Sequence, residues 1–145
     1  MSDTYIVDAS VIVQRLIRDS ETPHVRTLFR LMGDRQVELW VPEFCLAECA
    51  NVLWKAVRFR GMSPQQAETL SRDLTAAPLY IATIAPYLPR ALAIGLRHQL
   101  PIYDSVYIAI AEAISHPLIT VDRRQAEVAS AEGVPLKAIT DFPPA

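Results

Sequence analysis

A short apolar run, Tyr5-Ile6-Val7, stops at Asp8 and gives way at once to a helical pattern over residues 10–18, and the same unit recurs to the end of the chain. Short apolar runs suit strands buried on both faces, while apolar spacings of three and four suit helices laid against them. Further strands are predicted at 39–41, 79–84, 118–121 and 136–139, and helices at 23–33, 43–59, 63–76, 88–99, 105–114 and 123–132. Pro23, Pro42 and the run Ser63-Pro64-Gln65-Gln66 read as helix starts, and Gly33 and Gly133 as stops. Alternation of this kind builds an α/β fold, a three-layer α/β/α sandwich on a mostly parallel sheet. Ligands of such sheets sit beyond the carboxyl ends of the strands, where Asp8 and Asp122 fall by sequence alone.

With 145 residues and neither repeats nor linkers, residues 1–145 are expected to form a single domain that needs no disulfide or structural metal. A net charge of −2 provides no global cationic field, so any grip on nucleic acid must be local. Cys45 and Cys49 stand in an apolar stretch without a histidine nearby, which suits buried reduced thiols better than a zinc site or a bridge. The start, Met1-Ser2-Asp3-Thr4, lacks the basic residues of an export signal, and the longest apolar stretch, 75–88, is broken by Pro78 and Pro86. The expectation is a cytoplasmic protein with no membrane role. A hydrophobic fraction of 51% leaves apolar surface to spare, and Trp40, Trp54 and the helix at 63–76 point to a homodimer.

Four acids carry the chemistry. Each aspartate also has a structural reading: Asp8 fits a cap for the helix near Ser10, Asp104 a cap for the helix at Ser105, and Asp122 with Gln125 forms a capping-box pattern. Glu48 fits an ordinary surface position as well, although Phe44, Leu46, Cys49, Ala50, Val52 and Leu53 surround it in sequence. Convergence of all four on one rim of the sheet changes the weighting. Two carboxylates 4 Å apart repel by roughly 4 kcal/mol at an effective dielectric of 20, so a cluster must raise its pKa values or recruit a cation. Hard oxygen donors without cysteine or histidine favour Mg²⁺ or Mn²⁺, ions that keep waters and bind phosphate.

The contexts Ile6-Val7-Asp8-Ala9-Ser10, Leu46-Ala47-Glu48-Cys49-Ala50-Asn51-Val52-Leu53, Tyr103-Asp104-Ser105-Val106-Tyr107-Ile108-Ala109-Ile110-Ala111 and Leu118-Ile119-Thr120-Val121-Asp122 together resemble the signature of PIN-domain ribonucleases, in order and spacing. Within that family the chain is most similar, over essentially its whole length, to the VapC-type toxins of toxin–antitoxin pairs. The resemblance implies a parallel sheet flanked by helices, Mg²⁺- or Mn²⁺-dependent endoribonuclease activity, homodimers, and a small antitoxin protein inserted into the active-site groove. By position it assigns catalysis to Asp8, Glu48, Asp104 and Asp122, with Asp8, Asp104 and Asp122 as metal ligands. It gives supporting roles to Ser10, Asn51 and Thr120, for which a cap, a solvated helix position and a strand-end hydroxyl are the alternatives. Some relatives carry a further acid just after the last motif. Arg123 and Arg124 stand there instead, which weakens the hold on a second ion and offers two candidate phosphate contacts, with solvated helix charges as the alternative. Lys55 and Arg58 are read in the same way.

The implied reaction is in-line attack of an activated water on phosphorus, leaving a 5′-phosphate and a 3′-hydroxyl. His24, His98 and His116 lie outside the motifs, which disfavours cyclisation through the ribose 2′-hydroxyl with a histidine pair as acid and base. Three rivals are a catalytically weak RNA-binding or regulatory module on the same fold, an orphan RNA-processing nuclease without antitoxin, and a phosphotransfer site with a strand-end aspartate as nucleophile. Only Lys137, and no second aspartate after Asp8, supports the last.

Overall fold

The computed structural model describes residues 2–145. Its first elements are β1 (Asp3–Val7), α1 (Ala9–Leu16), α2 (Thr22–Gly33), β2 (Val37–Pro42), α3 (Cys45–Arg60) and α4 (Pro64–Ala76). There follow β3 (Tyr80–Ala82), a 3₁₀ turn (Ala85–Tyr87), α5 (Leu88–His98), α6 (Ile102–Ile114), β4 (Leu118–Ile119), α7 (Arg123–Ala131) and a second 3₁₀ turn (Ile139–Asp141). The strands form one sheet in the order β3-β2-β1-β4, parallel at every pairing. The expected α/β/α sandwich is what forms, and none of the described helices is long and apolar enough to cross a membrane.

The strands are apolar because both of their faces are covered. Ile6, Val7, Leu39, Val41, Leu118 and Ile119 are all fully buried, and burial of such a side chain contributes about 1.5–3 kcal/mol. The sequence of α6 is apolar nearly all round, from Val106 to Ala111, and it is buried all round, as a helix of that composition must be. Its entry is fixed by Gly95 on α5, where a Cβ would meet the Leu100 carbonyl oxygen at 2.8 Å and Ile102 Cδ1 at 3.0 Å. This close α5–α6 corner sets where the first turn of α6 begins.

Register decides which ends of the strands coincide. Ile6 pairs with Leu118 and Val7 with Ile119, so β1 and β4 finish level, and Asp8 N–H then donates to the Ile119 carbonyl at 2.9 Å. Asp8 and Thr120 leave the sheet side by side, and α1, α3 and α7 all begin at this carboxyl-terminal edge.

Four sequence expectations need correction. Pro42 ends β2 instead of opening α3; it sits opposite Ala82 at the end of the ladder, where a missing N–H costs nothing because Glu43 N–H reaches the Ala82 carbonyl. The strand expected at 136–139 is a single bridge, Leu118 to Leu136, since β4 is two residues long and has no further edge to offer. Asp104 lies inside the first turn of α6 instead of capping it, because the helix already starts at Ile102 behind Pro101. Trp40 is half-buried and offers less free surface than expected: its ring stacks on Tyr80 at 5.2 Å and its indole nitrogen is buried.

Candidate functional site

The carboxyl-terminal edge delivers the four acids from four elements. Asp8 follows β1 and caps α1, with Oδ2 accepting from Ser10 N–H at 3.0 Å. Glu48 comes from the first turn of α3 and Asp104 from the first turn of α6. Asp122 caps α7, its Oδ1 accepting from Gln125 N–H at 3.0 Å. The capping roles of Asp8 and Asp122 and their membership of an acidic rim are therefore compatible, because each carboxylate oxygen has two lone pairs and a cap occupies only one of the four.

Electrostatics ties the four together. Burial first, then the negative charges of Asp8 and Asp122, push the Asp104 carboxyl up to about 6. Glu48 is half-buried, and burial raises its carboxyl while the Asp8 and Asp104 charges raise it further, against a lowering by a hydrogen bond from Tyr107. Asp8 is only 6% exposed. Among the described residues none of the four acids makes a salt bridge, although other acids of this chain do.

A frame of neutral hydrogen-bonding groups replaces the missing cations. Tyr107 O–H donates to Glu48 Oε1 at 3.0 Å, and Tyr107 is itself fully buried. Ser10 Oγ lies 3.4 Å from Thr120 Oγ1 and accepts from Val121 N–H, while Thr120 Oγ1 accepts from Asp122 N–H at 3.0 Å. Ser10 and Thr120 thus lock the end of β4 against the start of α1. Asn51 is exposed on α3 and makes no side-chain hydrogen bond among the described residues. Arg124 turns its guanidinium to the His98 carbonyl and towards Glu127, 3.8 Å away, whereas Arg123 is exposed.

Two residues here escape sequence reasoning, Tyr107 and Gln125. Tyr107 is hidden within an unbroken apolar run. Gln125 gives a clearer signal: on α7 the buried positions are Gln125, Val128 and Ala129, so a glutamine occupies the apolar stripe.

The donor set suits a hard divalent cation. It offers oxygen alone, carries four like charges without a protein counterion, and holds Asp104 at a raised pKa that a cation would relieve. As placed, no three acidic, histidine or cysteine groups among the described residues stand close enough to ligate one ion. Cys45 and Cys49 are free and buried beneath Glu48, and the Cys49 thiol is held protonated by its hydrogen bond with Cys45 and by burial. His24 Nδ1 bonds the Phe142 carbonyl and His98 Nε2 bonds Glu132, so neither faces the acids. Lys137 pairs with Asp141 at 3.5 Å, which removes the one feature favouring a phosphotransfer site. A groove of about 590 Å³ lined by residues such as Ser2, Val37 and Tyr80 lies at the opposite, amino-terminal edge of the sheet.

Residues 5–131 match the family described as PIN domain. The chain is 31% identical over 124 residues to Ribonuclease VapC3 of Pyrobaculum aerophilum, covering 84% of this chain and 92% of that relative. It is 35% identical over 135 residues to Ribonuclease VapC1 of Mycobacterium tuberculosis, covering 92% and 94%. Among solved structures, it superposes with a TM-score of 0.66 on a chain of VapBC2 from Rickettsia felis, bound to a DNA fragment from their promoter. That match has 14% identity and covers 93% of this chain and 98% of the other, a likeness of fold.

Proposed function

The chain belongs to the PIN-domain family, and on that premise we propose that it is a divalent-metal-dependent endoribonuclease, the toxin of a toxin–antitoxin pair acting in the cytoplasm. The observation that carries this reading is the gathering of four acids at the carboxyl edge of the sheet, none of them in a salt bridge among the described residues, where burial and the neighbouring negative charges raise the Glu48 and Asp104 carboxyls. Two full-length relatives named as ribonucleases support the substrate class.

Asp8, Asp104 and Asp122 would hold Mg²⁺ or Mn²⁺, with Glu48 completing the rim. The ion supplies charge for the phosphoryl oxygens and lowers the pKa of an attacking water. The protein's part is to hold the acids in place. Asp8 is fixed through both oxygens, one to Ser10 N–H and one to Gln125. Asp122 keeps Oδ2 free beyond its cap, and Tyr107 O–H orients Glu48 and leaves its second oxygen to accept a proton from water. Phe44, edge-on to Tyr103 and Tyr107 at 5.1 and 5.7 Å, walls the glutamate side, and the exposed Tyr103 ring beside Asp104 offers a face to an RNA base. Arg123 supplies a phosphate contact, and Arg124 joins it only by releasing His98.

Partners are supported by exposed apolar faces. Leu88, Leu92 and Leu96 form one stripe along α5, and Trp54 and Phe59 stand 59% and 71% exposed on α3, beside a groove shared with α4. A second copy of the chain and a small antitoxin protein are the occupants proposed, and light scattering of the chain alone and with its partner counts them. The test of the activity is cleavage of RNA by the purified chain with Mg²⁺ or Mn²⁺ and with chelator. Loss of cleavage with chelator is expected; cleavage undiminished by chelator overturns the reading.

A further inference from the structure

We infer that Gln125 is a positioning residue of the acidic site, a neutral double donor that pins the Asp8 carboxylate to the α6 backbone and so prepares it for a divalent cation. This inference rests on the reading of the acids as a cation site. The sequence pattern Asp122-x-x-Gln125 predicts a reciprocal capping box, in which the glutamine side chain reaches back to the Asp122 N–H. Only half of that box forms. Asp122 accepts from Gln125 N–H, but the Asp122 N–H is taken by Thr120 Oγ1, and the glutamine side chain is released for another task.

That task is visible in its hydrogen bonds. Gln125 is 0% exposed, and Nε2 donates to Asp8 Oδ1 at 3.2 Å and to the Asp104 carbonyl at 3.1 Å. Both amide protons are used, each on a different motif of the site, while Oε1 is buried without a partner among the described residues. The orientation is dictated by charge, because the flipped amide would set Oε1 against a carboxylate. A buried glutamine that leaves its own acceptor unsatisfied is a poor choice for stability, since an apolar side chain of the same length would fill the space without that cost.

The residue type fits a cation site in three respects. Lysine or arginine at this point would donate equally well but would neutralise the acids and compete with an ion. Asparagine is one methylene too short for both acceptors, and serine shorter still. Glutamine alone combines reach, two donors and zero charge, the properties needed to orient a ligand from behind without lowering the negative potential in front.

The test is Gln125→Met, which keeps volume and removes the donors, with Mn²⁺ binding followed by calorimetry and metal-dependent cleavage measured alongside. The expected result is a dissociation constant for Mn²⁺ raised about 10- to 100-fold. Cleavage should fall at low Mn²⁺ and recover towards the parent rate at saturating Mn²⁺, with the metal-free protein melting at or near the parent temperature. A purely structural glutamine would lower the melting temperature and leave the Mn²⁺ constant unchanged, which overturns the inference. Should the variant fail to fold, the parent itself decides. The side-chain amide signals of Gln125 in nitrogen-edited NMR should exchange slowly with water and shift as Mg²⁺ is added; signals in fast exchange that ignore saturating Mg²⁺ overturn it. Parent protein that binds no Mn²⁺ removes the cation site and this inference together, whereas parent binding with an equal constant in Gln125→Met removes the inference alone.

Discussion

Helix α6 carries two acids eight residues apart, Asp104 and Glu112, and the structure treats them in opposite ways. At the far end Arg90 of α5 grips Glu112 at 2.8 Å and Glu132 at 2.9 Å, and Glu132 also receives His98 at 2.7 Å and Arg97 at 3.4 Å. Those hydrogen bonds, from Arg90 to Glu112 and foremost from His98 to Glu132, hold both carboxyls below their ordinary value. At the near end Asp104 pairs with no cation among the described residues, and burial first, then the charges of Asp8 and Asp122, lift its carboxyl to about 6. One end of the helix matches its charges and the other accumulates them. Matched charges contribute to holding α5, α6 and α7 together, while accumulated charges oppose folding, the pattern expected of the cation site proposed above. The difference separates a stabilising cluster from a binding site more clearly than the count of acids in either.

Breaking the comparison is most direct with Asp104→Asn. Loss of one ligand should lower metal-dependent cleavage by roughly 10²- to 10³-fold, the equivalent of several kcal/mol of transition-state charge stabilisation. The metal-free protein should melt no lower than the parent, because one of several repelling charges is gone. Cleavage kept at the parent rate would return Asp104 to a purely structural role.

Tyr107→Phe sharpens the contrast from the neutral side. It removes the one side-chain donor to the Glu48 carboxylate among the described residues, a hydrogen bond to a charged group, and cleavage should fall about tenfold. The acid limb of the pH–rate profile should also move up, since that hydrogen bond is what lowers the Glu48 carboxyl against burial. An unchanged profile would exclude Glu48 from the rate-determining proton transfer.

Glu132→Gln tests the matched end. Its side chain is only 6% exposed, but its partners Arg90 and Arg97 are 40% and 70% exposed, so solvent screens the cluster from the cationic side. A loss of about 1 kcal/mol, or about 2–4 °C in melting temperature, is expected, with cleavage unaffected. Reduced cleavage at full stability would mean that the two ends are coupled through α6.

The smallest effect is a slope of stability with pH in the metal-free protein. Asp104 keeps its proton up to about 6 in the folded chain but loses it near the ordinary value of 3.8 when unfolded. Its contribution is therefore fully present below about 3.8 and is lost as pH rises to about 6. Glu132 has the opposite sign: a lowered folded value gives stability that is present above the ordinary value of 4.5 and lost as pH falls below it. Melts between pH 4 and 7 should show Asp104→Asn flattening the fall towards neutral pH; an identical slope in parent and variant would show that Asp104 is not held at a raised value.

Much of this protein was legible from residue order. Asp8 and Asp122 end apolar runs and precede helices, and local backbone preference together with hydrophobic period is enough to put both at the carboxyl edge of a parallel sheet. Helix ends set by local chemistry, such as the Ser63 cap of α4, were equally legible. Pro42 and the stretch at 136–139 were not, because strand or helix there depends on whether a neighbouring ladder has room, and that is decided by the partner strand.

Local order determined which carboxylates exist and which ends of the elements they occupy. Tertiary structure alone decided their company. The Gly95 corner that brings the first turn of α6 to Asp8, the burial that lifts Asp104, and the turn of Gln125 away from its own cap towards Asp8 all arise from contacts between residues distant in sequence. Capping and periodicity act over about four residues, whereas desolvation and charge act through space between whatever the fold has brought together.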